Sequence, residues 1–191
     1  HALISENIGH LRGMHLIAVD ISLLATGILR AVIEIPAGSV EKRQYDKAHG
    51  TFPIDERDGR PRIINFLPYP ANYGYIPGTR MRKEEGGDGD AVDVLVLCGA
   101  LPSGTLLEVE AIGVIELIDA GERDDKLIAL PLDPALRNID AHDISELPAA
   151  VMQIIQAWLL NYDPVDEAAL VGVKGREEAL AVVRRWLNEE A

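Results

Sequence analysis

Gly87-Asp88-Gly89-Asp90-Ala91-Val92-Asp93-Val94-Leu95-Val96-Leu97-Cys98 decides how this chain is read. From Val92 to Cys98 the residues are mostly aliphatic and β-branched, the composition of a buried strand. Just before it, Asp88, Asp90 and Asp93 stand within six residues, with Glu84 and Glu85 close by. Carboxylates so crowded repel one another, and a hard cation with oxygen ligands neutralises them. Glycines at 87 and 89 let the backbone turn tightly, so side chains 90 and 93 can converge despite opposite strand parity. The competing reading is a solvated acidic turn. An EF-hand does not fit: with Asp88 at loop position 1, Val92 falls at position 5 and Gly99 at position 12, where a carboxylate is required.

Outward from this element, Leu29 to Ile35 reads as a strand ending at Pro36, Leu106 to Ile118 as one or two strands, and Leu127 to Leu130 as another. Residues 41–66 read as hairpin material, with turns at His49-Gly50 and Arg57-Asp58-Gly59, and 82–90 as a loop. Breakers and aromatics crowd 68–79 (LPYPANYGYIPGT), too many breakers for a helix and too many rings for a flexible linker. Helical spacing comes last. After Ser145, a candidate N-cap with Pro148 in the first turn, Leu147, Val151, Ile154, Ile155, Trp158, Leu159 and Tyr162 form one stripe. Leu180, Val183 and Leu187 form a second. Many short strands before late helices predict an α+β, mainly β domain over 29–191, a small closed barrel with two C-terminal helices packed outside. Residues 1–28 are weakly patterned and are expected to form an N-terminal arm.

The 191 residues suffice for one sizeable core, and 48% apolar with 26% charged residues excludes global disorder. With 18 basic against 31 acidic residues the net charge is −13, which disfavours nucleic acid unless bound cations reverse the local sign. No run of about 18 apolar residues occurs, so no membrane span is expected. The single Cys98 excludes a disulfide framework and a cysteine zinc cluster, and reads as a small buried hydrophobe. The expected location is the cytoplasm; the start at His1 without Met leaves export open.

A second acidic cluster, Asp119, Glu122, Asp124 and Asp125 beside Lys126, again lies between apolar strands. Alone it is a charged hairpin turn; together with 88–93 it offers what a multi-metal centre needs. Glu34 interrupts the apolar run 31–35, so it either faces solvent from an edge or points into a polar site. Lys42, Arg62, Lys126, Tyr73 and Tyr162, each near a loop or helix end, are anion donors, although singly each residue type is more often plain surface.

In order along the chain, VIEIPAG (32–38), Lys42, YPANYGYIPGT (69–79), GDGDAVDVLVL (87–97), the D-x4-D-x-K of Asp119, Asp124 and Lys126, and then Tyr162 resemble the soluble inorganic pyrophosphatases of the first family. The resemblance covers about residues 29–187. It implies a five-stranded, OB-like barrel that hydrolyses diphosphate to two orthophosphates with several Mg²⁺ ions, Mn²⁺ or Zn²⁺ being possible substitutes. It also implies self-association, as a hexamer in bacterial members. Carried over by residue, Asp88, Asp93, Asp119 and Asp124 resemble metal ligands and Glu34 a ligand or near-ligand. Asp90 resembles the general base, and Lys42, Arg62, Tyr73, Lys126 and Tyr162 the phosphate-binding set; Tyr69 and Asn72 would belong to the same wall. The chemistry is self-consistent: metals and basic groups spread the charge of the diphosphate, and Asp90 need only receive a proton from the attacking water.

Three positions depart from the family pattern. Gln44 stands where Lys-x-Glu is usual, Ala91 replaces a proline, and Asp163 stands where a lysine commonly follows the tyrosine. Lys174 or Arg123 are candidates to compensate for that lost charge, and Arg60 competes with Arg62. Two other readings remain: a Mg²⁺-dependent hydrolase of another phosphoanhydride, and a non-catalytic metal- or oligonucleotide-binding barrel. No Nudix-like helix or P-loop motif is present, and His142-Asp143 precedes a helix where an HD-type hydrolase needs further histidines.

Overall fold

Uninterrupted apolar strands cannot leave either face in water, and here they close into a ring. The computed structural model describes residues 21–163, 165 and 167–188; the first 20 residues of the expected arm lie outside them. The described elements run α1 (Ile21–Thr26), β1 (Ile28–Ile35), β2 (Glu56–Arg57), β3 (Arg60–Pro61), β4 (Asn72–Tyr75), β5 (Asp93–Val96), β6 (Leu106–Asp119), β7 (Glu122–Arg123), β8 (Lys126–Pro131), α2 (Ala149–Leu159), β9 (Ala169–Lys174) and α3 (Arg176–Arg185). β1 pairs with β4 and β6, β4 with β5, β5 with β8, and β8 with β6, so five strands form a closed cycle. Closure pairs the ring strands with one another, and the far half of β6, which extends beyond β1, is paired by β9 instead. Four contacts are antiparallel; β5–β8 alone of the five is parallel, which puts the starts of both strands at the same rim.

Alternation along the strands divides the core between two faces. Val94, Val96, Leu127 and Ala129 pack with Leu180, Val183 and Trp186 around α3. Leu95, Leu97, Ile128 and Leu130 pack with Met152, Ile155 and Trp158 of α2. Gly74 has a specific reason: a Cβ there would sit 1.9 Å from the Val32 carbonyl oxygen, so only glycine lets β4 approach β1.

Several expectations shift. Residues 106–119 form a single long strand. Asp143, not Ser145, is the cap: it accepts from Ser145 N at 2.9 Å over a short 3₁₀ turn, and α2 begins only after Pro148. The same carboxylate accepts from Arg176 N at 2.9 Å where α3 starts, so Asp143 serves helix termini rather than a metal. Ile154 leaves its stripe and is 62% exposed, while Met152 takes the buried position. β9, read as no element, adds to the far half of β6. Among the described residues no helix is long and apolar enough to cross a membrane.

At the end of the barrel where β1 begins and β8 finishes, Glu110 is buried among two arginines and a histidine. Arg176 pairs with it, Arg137 Nη2 lies 2.9 Å away, and His142 Nδ1 lies 3.0 Å away. Burial alone would raise its pKa, but the bonds from His142, Arg176 and Arg137 outweigh that and hold it below the usual 4.5. A depressed carboxyl contributes stability that is complete above its unfolded value and is lost as pH falls through the folded one. Glu110→Gln is therefore expected to cost about 1–2 kcal/mol near neutral pH. Urea unfolding should show the gap closing as pH drops below 4.5; a gap independent of pH would contradict the charge argument.

Candidate active site

The opposite rim collects the chemistry. β1 carries Glu34 one residue before its end, β4 carries Tyr73 and Tyr75, the loop before β5 carries Asp88 and Asp90, β5 begins with Asp93, β6 ends with Asp119, and β8 begins at Lys126 just after Asp124. The segment 42–62 brings Lys42, Gln44, Tyr45, Arg57 and Arg62 over this rim, and the chain after α2 brings Tyr162. Together they enclose a cleft of about 380 Å³. All eleven residues singled out in the sequence line it: Glu34, Lys42, Arg62, Tyr73, Asp88, Asp90, Asp93, Asp119, Asp124, Lys126 and Tyr162.

Strand parity sorts the second acidic cluster. Asp124 and Lys126 face the cleft, whereas Asp125 points to the other face, fully buried, with Arg123 Nη2 3.0 Å from it. Across the parallel ladder Asp93 and Lys126 are direct partners. Lys126 Nζ donates to Asp93 Oδ2 at 2.5 Å and also bonds Asp124, and the Tyr73 hydroxyl donates to the same Asp93 oxygen at 2.5 Å. On the other wall, Glu34 Oε1 accepts from Tyr45 N at 2.7 Å. Gly89, at φ 94°, turns the acidic loop so that Asp88 Oδ1 accepts from Asp90 N at 2.8 Å. The Asp90 side chain stands in solvent at the mouth, where a water molecule can reach it.

The electrostatics of this rim are unbalanced. Burial, reinforced by Asp93 and Asp90, lifts the Glu34 carboxyl to about 7 despite the Tyr45 N–H. Burial with Asp93, Asp124 and Asp90 nearby lifts Asp88 to about 6. Burial also raises Asp93, and Lys126 only partly offsets it. Burial works against the Lys126 ammonium, but Asp93 and Asp124 overcome it and hold the group charged. Burial raises the Tyr73 phenol as well, so it remains a hydrogen-bond donor. An all-oxygen donor set whose own repulsion disfavours its charged form suits a hard divalent cation. Among the described residues no three metal-ligating side chains form a tight preassembled cluster; the ammonium of Lys126 lies between two of the carboxylates instead.

Some expectations for this wall change. Asn72 does not line the cleft: it is fully buried, accepts from Ala37 N and Leu101 N, and donates to Gly99 O, so it pins the loop after β1 to the loop after β5. Tyr69 likewise lies behind the wall, against Tyr73, Trp158 and Tyr162. Arg62 faces the cleft and Arg60 faces solvent. Neither Arg123 nor Lys174 reaches the cleft, since Arg123 turns to Glu116 and Asp125. Tyr45, Tyr75 and Arg57 are lining residues that the sequence reading did not single out. Arg57 had a signal, its place at the Asp58-Gly59 turn, but a turn alone does not say which flanking side chain points inward.

Comparison with known proteins agrees with this geometry. A sequence model of the family described as inorganic pyrophosphatase matches residues 31–190. The chain is 38% identical over 140 residues to the soluble inorganic pyrophosphatase of Oryza sativa subsp. indica, covering 72% of this chain but only 60% of the rice protein. It is 34% identical over 173 residues to the inorganic pyrophosphatase of Neisseria meningitidis serogroup B, covering 86% of this chain and 92% of that one. The crystal structure of inorganic pyrophosphatase from Thermus thermophilus superposes with a TM-score of 0.74 at 29% identity, over 85% of this chain and 91% of the other. A barrel of five strands with one charged rim, matched over most of its length by such relatives, places the chain in the inorganic pyrophosphatase family.

Proposed function

We propose that residues 29–191 form a single catalytic domain that hydrolyses inorganic diphosphate to two orthophosphates in a Mg²⁺-dependent reaction. The observation that carries this reading is the composition of one cleft, which brings carboxylates together with lysine, arginine and tyrosine donors. Glu34, Asp88, Asp93, Asp119 and Asp124 would hold Mg²⁺, with Mn²⁺ or Zn²⁺ as possible substitutes. When bound there, the metal supplies positive charge against the diphosphate oxygens and acidifies water. Lys42, Arg62, Lys126, Tyr73 and Tyr162 orient the phosphoryl groups, and Asp90 takes the proton of the attacking water. No nucleophilic side chain is required, because in-line positioning and charge stabilisation suffice for phosphoryl transfer to water. The same reading carries a cytoplasmic location and a homo-oligomer, hexameric by family resemblance.

Orthophosphate release from diphosphate and from ATP, each with Mg²⁺, with a chelator and with excess Ca²⁺, tests this. Diphosphate is expected to be the faster substrate, only with Mg²⁺, and Ca²⁺ to suppress turnover because it tolerates looser coordination. Faster turnover of ATP would overturn the substrate assignment, and full activity in chelator would overturn the metal dependence.

A further inference from the structure

Asp163 stands where the resemblance leads one to expect a lysine, which on charge alone should weaken the phosphate side of the cleft. Its surroundings show a different use. One oxygen, Oδ2, accepts from Arg62 Nη2 at 2.7 Å and lies 3.1 Å from Arg57 Nη1. The other oxygen accepts from Val165 N at 3.1 Å, so the carboxylate is fixed by the backbone and its side chain is only 12% exposed. The residue before it, Tyr162, stacks on Trp158 with centroids 4.4 Å apart. Asp163 is thus a rigid anion at the end of α2 that grips two guanidiniums from a different part of the chain.

Arg57 belongs to a short, stiff element. β2 and β3 pair Glu56 with Pro61 and Arg57 with Arg60 around Asp58 and Gly59, both with positive φ (55° and 70°), the primed turn that matches strand twist. Asp55 N donates to Lys42 O, Arg62 N to Asp55 O and Lys42 N to Arg62 O, knitting the hairpin to the lysine of the same wall. Arg57, Arg62 and Lys42 all line the cleft. Arg62 is held by a second carboxylate as well, Asp55 Oδ2 accepting from its Nη1 at 3.1 Å. A guanidinium carries five N–H donors in a planar fork, so such ion pairs are compatible with a further anion on the same group.

We infer that Arg57 is a further phosphate-binding residue of this cleft and that Asp163 is the positioning residue that presents Arg57 and Arg62 to the phosphoryl group. The charge lost at position 163 is replaced from the β2–β3 hairpin, and the aspartate there aims the replacement. This inference rests on the function proposed above. It differs from simple competition, in which Asp163 would hold Arg62 away from phosphate.

Binding of inorganic orthophosphate, measured by calorimetry, and the KM and kcat for diphosphate would be compared in the whole chain and in Arg57→Ala, Arg57→Lys, Asp163→Asn and Arg57→Ala/Asp163→Asn. Arg57→Ala and Asp163→Asn are each expected to weaken phosphate binding and raise KM about tenfold, with kcat changed less than about threefold. Arg57→Lys should recover only part of the loss, because a lysine cannot form the fork. The double variant should lose less than the two single losses combined, since one residue acts partly through the other. Tighter phosphate binding in Asp163→Asn would establish competition and overturn the positioning role. Unchanged phosphate affinity in Arg57→Ala would overturn the role of Arg57 while leaving diphosphate hydrolysis intact. A wild-type chain that binds no phosphate and does not hydrolyse diphosphate would instead overturn the underlying function.

Discussion

Lys126→Met is expected to destabilise the metal-free protein by about 3–5 kcal/mol, the cost of stranding buried charge without its partner. Lys126 is 5% exposed and bonded to both Asp93, its partner across the ladder, and Asp124, two residues before it. Methionine fills a similar volume but leaves those carboxylates, and the Tyr73 hydroxyl aimed at one of them, without an ammonium between them. Chemical denaturation in chelator should reveal the full deficit. Titrating Mg²⁺ should recover part of it, and more than Mg²⁺ adds to the wild type, because a divalent ion would then do the work of the missing cation. Equal stability of the variant and the wild type in chelator would show that the lysine is not the charge balancing this rim.

The second large effect is on rate. Asp90→Asn is expected to lower turnover of diphosphate by about two orders of magnitude, the size typical of a lost general base. The backbone N–H of Asp90 holds the loop through Asp88, and the substitution preserves both that bond and the side-chain shape. Mg²⁺ binding followed by calorimetry should therefore remain largely intact, separating a proton-transfer defect from a folding or metal defect. Turnover equal to that of the wild type would remove Asp90 as the base and direct attention to another cleft carboxylate.

Much of this architecture is legible in the chain because charged residues border apolar strands: Glu34 near the end of β1, Asp93 at the start of β5, Asp119 at the end of β6 and Lys126 at the start of β8. The runs 29–35, 92–98 and 127–130 identify barrel strands, and the carboxylates within or bordering them reach one rim once the ring closes. What escaped depends on tertiary context. β9 is largely exposed and becomes a strand only because the long β6 offers it an edge. Asn72 sits in a motif that reads as a site wall, yet an amide that accepts from backbone donors on two sides is chemically indistinguishable in sequence from one that binds a ligand. Asp163 looks like a lost positive charge until Arg57 and Arg62 are seen to meet it, from about 100 residues upstream.

The parallel pairing of β5 with β8 also ties catalysis to correct assembly. Asp93 and Lys126 share one ladder position, while the neighbouring Asp125 is sealed on the opposite face. A slip of one residue in that pairing would drive the ammonium into the hydrocarbon interior and expose Asp125 in its place, since alternate residues point to opposite sides. A mispaired molecule would thus be both poorly folded and inert, so selection for turnover alone would also proofread the alignment of the two strands.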